Sequence, residues 1–193
     1  PGKLTPMPEP TPFTHKPTLR DDLVILRPIR AEDADVLDDL IHEDDEIPRL
    51  TGSVHSSVEP VDRMPIEQLR DMYGQWAVAD DRLVLAIIDN ATGELVGEAV
   101  LNNWDEGNRS CNFRILIGGA GRGRGLGTSA TRLIVEHGLT VGLHRISLEV
   151  YDFNPRARHV YEKVGFRHEG TGRDALIFDG EWIDVHYLAI LGG

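Results

Sequence analysis

The 193-residue sequence has a single cysteine, Cys111, and no apolar run long enough to cross a bilayer. One thiol cannot form an internal disulfide, and this sparing use of cysteine is typical of a reducing compartment, so we expect a cytoplasmic protein. A transmembrane helix requires about 20 consecutive apolar residues, so no membrane span is predicted. The start of the chain has no apolar block behind a basic end, so it does not resemble a secretory signal.

Positive charge is also scarce in this sequence. The chain carries 20 Lys and Arg against 32 Asp and Glu, which gives a formal net charge of -12. Binding to nucleic acid or to an anionic membrane depends on clustered cations, so we expect neither partner. The eight histidines are scattered and no H-E-x-x-H or C-x-x-C motif is present, so we expect no metal site.

Proline is concentrated at the start of the chain. Residues 1–17 hold six of the eleven prolines and few apolar groups. Because proline fixes φ and the segment has little to bury, we predict a flexible, extended N-terminal arm over 1–17. The remaining residues, 18–193, have the length and apolar content of one globular domain.

The spacing of apolar residues predicts an α/β domain. Strands are predicted at 23–27, 83–89, 94–102, 110–117 and 145–151, and helices at 31–42, 65–79, 126–137 and 154–164. A final hairpin, 175–178 and 182–191, is predicted around the Asp179-Gly180 turn. The strand, helix, strand order in the middle requires parallel pairing there, whereas the flanking hairpins are antiparallel.

A glycine-rich loop, 118–127, lies between a predicted strand and a predicted helix. Six of its ten residues are glycine, and Arg122 and Arg124 add positive charge. Glycine allows backbone amides to approach a ligand closely, and the free N–H groups of a helix N-terminus favour an anion. We therefore predict a phosphate or pyrophosphate cradle. The residues of the loop match neither the Walker loop nor the G-x-G-x-x-G dinucleotide fingerprint.

The pattern that remains in the loop is Arg122-x-x-Gly-x-Gly, and here the sequence resembles the GNAT superfamily of N-acetyltransferases. A second stretch, Asn154-Pro-Arg-Ala-Arg-His-Val-Tyr-Glu-Lys-Val-Gly-Phe, matches a later motif of that family. The distance between the two motifs is also the one that the family shows. The ending, Asp179-Gly-Glu-Trp-Ile-Asp-Val-His-Tyr-Leu, resembles the branch that includes ribosomal-protein N-terminal (alanine/serine) acetyltransferases. The resemblance covers about 19–191.

This resemblance implies a fold and a reaction. The fold is a mixed, mostly antiparallel sheet with a splayed parallel strand pair at the cofactor cleft, flanked by helices. The reaction moves an acetyl group from acetyl-coenzyme A to a primary amine by direct attack. The cofactor-binding residues that the resemblance implies are Leu116, Ile117, Arg122, Gly123, Arg124, Gly125, Leu126, Gly127, Thr128, Asn154, Ala157 and Arg158.

Two catalytic roles follow from the same resemblance. The backbone amide of Leu116 is the expected donor to the oxyanion. Tyr161 matches the tyrosine that protonates the departing thiolate, and a phenol with a pKa near 10 stays neutral at pH 7. Because Ala157, Tyr161 and Val164 share a helix face, a purely structural core tyrosine is the alternative.

The general base is not fixed by the resemblance. Many relatives carry Glu where this chain has Asn112, which cannot accept the ammonium proton. The other candidates are a water chain, an amine that arrives neutral, or one of the side chains of Glu98, Asp105, Glu149 and His186. Asn112 also leaves open a non-catalytic acyl-CoA-binding or regulatory module, and a backbone cradle leaves open a different acyl group. Cys111 is predicted to be a small core thiol.

Acidic residues cluster in 32–46, which holds nine acids and no Lys or Arg. In the family this region borders the acceptor site, so these acids are candidates to hold a cationic acceptor such as a polyamine, an aminoglycoside or a basic peptide N-terminus. A solvated helix face is the other interpretation. Reversal of Asp44 and Asp45 to lysine would separate the two. A homodimer is compatible with the resemblance.

Overall fold

The computed structural model describes residues 10–43 and 46–193. Within them a single sheet of eight strands has the order β1-β2-β3-β4-β5-β6-β8-β7. The strands are β1 (Leu19–Arg20), β2 (Val24–Pro28), β3 (Leu83–Asp89), β4 (Leu95–Asp105), β5 (Ser110–Ile117), β6 (Arg145–Tyr151), β7 (Arg167–Phe178) and β8 (Glu181–Leu191). The described neighbours pair antiparallel except β5 and β6, which are parallel.

Different helices cover the two sides of this sheet. The helices are α1 (Asp33–Glu43), α2 (Glu46–Leu50), α3 (Ile66–Val78), α4 (Leu126–Thr140) and α5 (Pro155–Val164). Helices α1 and α3 pack on one side, and their buried residues share a core with Val84, Ala86 and Val100. Helices α4 and α5 pack on the other side, over Leu85 and Phe113. We call these sides the α1/α3 face and the α4/α5 face.

The predicted mixed α/β fold is confirmed, including the parallel pair. The sequence did not indicate α2 or the first half of β7, 167–174. The first half of β7 lies on the edge strand of the sheet and is polar and glycine-rich, so it lacks the apolar alternation that marks a strand. No helix in the described part of the chain has the length and apolar character needed to cross a membrane.

Residues 11–17 differ from the flexible arm that their composition predicts. Phe13 is completely buried in the main core and meets Trp104 edge to face, with ring centroids 5.7 Å apart. The Lys16 ammonium donates to the carbonyl of Arg82 at 2.6 Å. One aromatic side chain among the prolines supplies enough burial to fix the segment on the domain. Residues 1–9 lie outside the described residues.

Candidate active site

A cleft opens where β5 and β6 separate. The two strands pair only at their starts, and the last pair is Asn112 with Ser147, whose side chains are hydrogen-bonded at 3.0 Å. Beyond this pair β5 continues to Ile117 on β4, and β6 continues to Tyr151 on β8. The edges of β5 and β6 that face each other are therefore free of strand partners within the described chain, as the predicted splayed pair requires.

The register of β4 and β5 decides which amides of β5 face the cleft. The Gly118 N–H donates to the Val96 carbonyl at 2.9 Å. Hydrogen-bonded and non-bonded pairs alternate in an antiparallel ladder, so Glu98 and Leu116 form the next bonded pair. A Cβ on Gly97 would lie 2.0 Å from the Leu116 oxygen, which places that carbonyl on the β4 side as well.

The predicted oxyanion role of Leu116 is therefore corrected. Its amide is directed to β4 and not to the cleft. Beyond the last β5–β6 pair, the N–H groups directed to the cleft belong to its neighbours at odd positions, Ile115 and Ile117, whereas the Phe113 N–H faces Ser147 within that pair. The motif predicts where the strand lies. Which of the strand's amides face the cleft depends on its pairing with β4, and the motif contains no residue of β4.

The glycine-rich loop forms an open array of backbone N–H groups in front of α4. Gly123 and Gly125 have φ of 72° and 81°, the left-handed region that glycine adopts without strain. Gly125 immediately precedes α4 and provides no side-chain cap. The first-turn amides of an α-helix have no intrahelical acceptor, so those of Leu126, Gly127 and Thr128 point out of the helix end. A Cβ at Gly123 would meet nothing within 4 Å, so the loop has room for a ligand, and this array fits a pyrophosphate.

The two arginine side chains of the loop are bound to the protein itself. Arg124 lies 2.6 Å from the buried carboxylate of Asp89 at the end of β3, and this hydrogen bond lowers the pKa of Asp89. Arg122 donates to the Ile117 carbonyl at 3.1 Å and to Glu46 at 2.7 Å. These contacts anchor the loop to β3, β5 and α2, so the backbone is left as its main anion-binding group.

Helix α5 begins at the far side of the cleft. The Asn154 side chain accepts from the Ala157 amide at 3.2 Å, and Pro155 occupies the first helical position, which together explain where the helix starts. Arg158 pairs with Glu162 at 3.0 Å. Coenzyme contacts of Asn154, Ala157 and Arg158 stay predictions.

Tyr161 projects from α5 into the α4/α5 face of the sheet. Its ring is 8% exposed and lies 6.0 Å from the centroids of both Phe113 and Phe166. Burial raises the pKa of Tyr161 to about 12. A phenol with this pKa remains protonated at neutral pH, and its role as the proton donor stays a prediction.

Comparison with known proteins identifies the family of this fold. A family profile described as "Acetyltransferase (GNAT) domain" matches residues 24–167. The chain belongs to the GNAT acetyltransferase family. The membership that the loop and α5 motifs predict is thus confirmed, and ribosomal-protein N-acetyltransferases are among the relatives.

Three similar proteins illustrate the range of this family. A spermidine N(1)-acetyltransferase of Vibrio cholerae is 28% identical over 126 residues, which cover 65% of this chain and 72% of that protein. The L-amino acid N-acetyltransferase AaaT of Escherichia coli is 31% identical over 133 residues, covering 67% and 76%. The structure of Mycobacterium smegmatis RimJ in complex with CoA-disulfide has a TM-score of 0.74 and 26% identity and covers 93% of this chain and 88% of RimJ.

The four side chains that the sequence leaves open as the base of the acetyltransferase lie in different places. Asp105 accepts from the Asn108 amide in the β4–β5 turn, away from the cleft. His186 is cross-strand from Val150 and therefore lies on the α4/α5 face, where its two ring nitrogens contact side-chain oxygens of Asp152 and Thr171. Both side chains are engaged outside the separated part of β5 and β6.

Glu98 and Glu149 lie on the α1/α3 face of the acetyltransferase. Glu98 is 5% exposed, and burial raises its pKa. Glu149 is exposed on β6, two residues beyond the last β5–β6 pair and directly cross-strand from Tyr187. Within the described residues, the Glu149 side chain makes no hydrogen bond or ion pair. Of the four candidates, Glu149 alone combines the splayed strand with an accessible carboxylate.

Five of the nine acids in the acidic segment of the acetyltransferase pair with arginines from elsewhere in the chain. The described ion pairs of this segment are Asp33–Arg27, Asp35–Arg70, Asp38–Arg63, Asp39–Arg63 and Glu46–Arg122. These pairs favour a structural role for the described acids. Asp44 and Asp45, the predicted test positions, lie outside the described residues. No group of three or more potential metal ligands occurs in the described chain.

Proposed function

We propose that this acetyltransferase moves the acetyl group of acetyl-coenzyme A to the primary amine of a small acceptor that enters from the α1/α3 face. The observation that carries the proposal is the separation of β5 and β6 directly before the glycine loop. It leaves strand edges for an extended substrate arm, next to a helix N-terminus that suits its pyrophosphate.

The donor half of the site consists mainly of backbone. The amides of 123–128 suit the pyrophosphate, and the cleft edge of β5 offers N–H groups at Ile115 and Ile117 to the pantetheine arm. Acetyl-coenzyme A brings the activated thioester. An N–H of Ile115 or Ile117 is placed to stabilise the charge that develops on the thioester oxygen during attack.

The two proton-transfer groups lie on opposite faces of the sheet. Glu149 on the α1/α3 face takes the proton of the acceptor ammonium, so that the amine lone pair is free to attack. The C–N bond forms, the positively charged nitrogen of the tetrahedral intermediate releases its second proton to solvent, and collapse of the intermediate breaks the C–S bond. Tyr161 on the α4/α5 face gives its proton to the departing thiolate and is reprotonated from solvent.

The acceptor class is a small primary amine with at least one charged group beside it. Relatives named for spermidine and for L-amino acids support this range. A cytoplasmic location and a homodimer belong to the proposal as well. The buried Cys111, 2% exposed and with a pKa raised to about 12 by burial, fits a core thiol without a catalytic role.

Two measurements test the proposal in sequence. Calorimetric titration with acetyl-CoA, with succinyl-CoA and NADH as comparisons, should show micromolar binding of the acyl-coenzymes and no binding of NADH. Thiol release is then followed with spermidine, L-amino acids and a peptide with a free N-terminus. Binding without thiol release on any amine would favour a regulatory acyl-CoA-binding module, and no binding would overturn the site.

A further inference from the structure

Arg114 lies across the cleft from Glu149. Each residue is two positions beyond the last parallel pair, Asn112 with Ser147, one on β5 and the other on β6. Arg114 is also directly cross-strand from Val100, which belongs to the α1/α3 core, so its side chain leaves the sheet on that face. On the α1/α3 side of the sheet, β5 therefore carries a cation and β6 an anion at matching positions beyond the last pair.

The guanidinium of Arg114 is held by contacts with β4 and α3. Its Nη2 lies 3.3 Å from Oε1 of the buried Glu98, and its central carbon lies 5.7 Å from the centroid of the Trp76 ring. Glu98 is the only acid within hydrogen-bond reach of Arg114 among the described residues, and its other oxygen, Oε2, is enclosed without a partner. A buried carboxylate of this kind fixes a cation at a defined point.

Arg114 nevertheless keeps donors for a ligand. Its side chain is 52% exposed and contributes one nitrogen to one carboxylate oxygen. By contrast, Arg27 binds both oxygens of Asp33 at 2.7 Å and is 22% exposed. A guanidinium has five N–H groups in a planar fork, which matches a carboxylate in a bidentate arrangement.

We propose that Arg114 binds the carboxylate of the acceptor, so that the enzyme acts on small α-amino carboxylates. This inference rests on the proposed function and narrows it. The amine then lies on the Glu149 side of the cleft and the carboxylate on the Arg114 side, a charge pattern that a zwitterion satisfies. A polyamine would bring a second ammonium towards Arg114, which opposes its binding.

The experiment compares each L-amino acid of a panel with its own carboxamide, using thiol release from acetyl-CoA. The carboxamide keeps the amine and the side chain and removes the negative charge. The native enzyme should prefer the acid in kcat/KM. In Arg114→Gln the KM for the acid should rise about 10- to 100-fold, whereas the KM for the carboxamide should stay the same.

A matched control is available on the same aromatic ring. Arg82 lies 5.2 Å from the Trp76 centroid but pairs with the adjacent Asp81. Arg82→Gln should leave the preference for acid over carboxamide unchanged. Arg114→Lys keeps the charge without the fork and should retain part of the preference, which provides a second variant if Arg114→Gln does not fold.

The outcomes separate this inference from the proposed function. Equal loss for acid and carboxamide in Arg114→Gln, or native turnover of spermidine and carboxamides in preference to acids, would overturn the role of Arg114 while acetyl transfer stands. Absence of thiol release with every amine, despite acetyl-CoA binding, would overturn the proposed function itself.

Discussion

Tyr161 allows the sharpest test at the scale of the residue. Its hydroxyl is the proposed proton donor to the thiolate, and Phe keeps the ring contacts with Phe113 and Phe166. Tyr161→Phe should lower kcat by about 100-fold or more, as expected for loss of a general acid. Acetyl-CoA binding, measured by titration, should be unchanged. Full turnover in the variant would make Tyr161 a core residue only.

Glu98 makes the stability of the fold depend on pH. Burial raises its pKa above 4.5, although Arg114 and Tyr73 partly oppose the shift. The folded state therefore holds the proton more tightly than the unfolded chain, so Glu98 lowers stability as pH rises from about 4.5 through its folded pKa. In thermal melts from pH 4 to 8, Glu98→Gln should gain in Tm relative to the native protein as pH increases. A difference in Tm independent of pH would contradict this assignment.

Single positions also show what the motifs could and could not predict. The loop and α5 were predictable, because their residue types are demanded by backbone conformation, whereas the catalytic role of Tyr161 stays a prediction. The orientation of the Leu116 amide was not, because it depends on the pairing of Val96 with Gly118. The partners of Arg122 and Arg124, Glu46 and Asp89, lie far away in sequence and left no signal near the motif.

At the scale of the element, the start of α4 is the part of the chain that we propose to bind the coenzyme. Gly125 has φ of 81°, where a side chain is strained, and it precedes the free amides of the helix. Gly125→Ala should cost about 1 kcal/mol of stability and weaken acetyl-CoA binding about tenfold or more, measured by denaturation and by titration.

Gly142 is the matched control for this prediction. It lies in the α4–β6 turn with φ of 104°, and a Cβ there would meet nothing within 4 Å. Gly142→Ala should lower stability by a similar amount and leave the affinity for acetyl-CoA intact. Equal loss of affinity in both variants would show that the loop acts only through overall stability.

At the scale of the whole molecule, the folded domain includes residues that the apolar pattern of the sequence left outside it. Phe13 lies before the first strand yet fills the core beside Trp104. Phe13→Ala should destabilise the protein by about 3–5 kcal/mol, seen as a shift in the denaturation midpoint. Val58→Ala, at a position 89% exposed, should shift it little. If Phe13→Ala shifts the denaturation midpoint only slightly, residues 11–17 form a flexible arm, as their composition predicts.

The overall sheet was predictable because strands with apolar alternation and clear turns compose most of it. The sequence did not predict the polar half of β7 and the short α2, since tertiary packing and not local propensity stabilises them. The arrangement of the charges on the surface was also only partly predictable from the sequence. Net charge indicated an acidic surface, but the distribution of arginines over the acids of α1 emerged only from the folded chain.

The position of the cleft within the sheet separates two tasks. In the proposed mechanism, donor binding depends on the loop, β5 and α5, whereas acceptor recognition depends on side chains that leave the α1/α3 face. Only the thioester carbon is common to both. Substitutions on one side can therefore diversify the range of amines without disturbing the machinery on the other, and a lineage with this architecture can acquire new acceptors by changing a handful of surface positions.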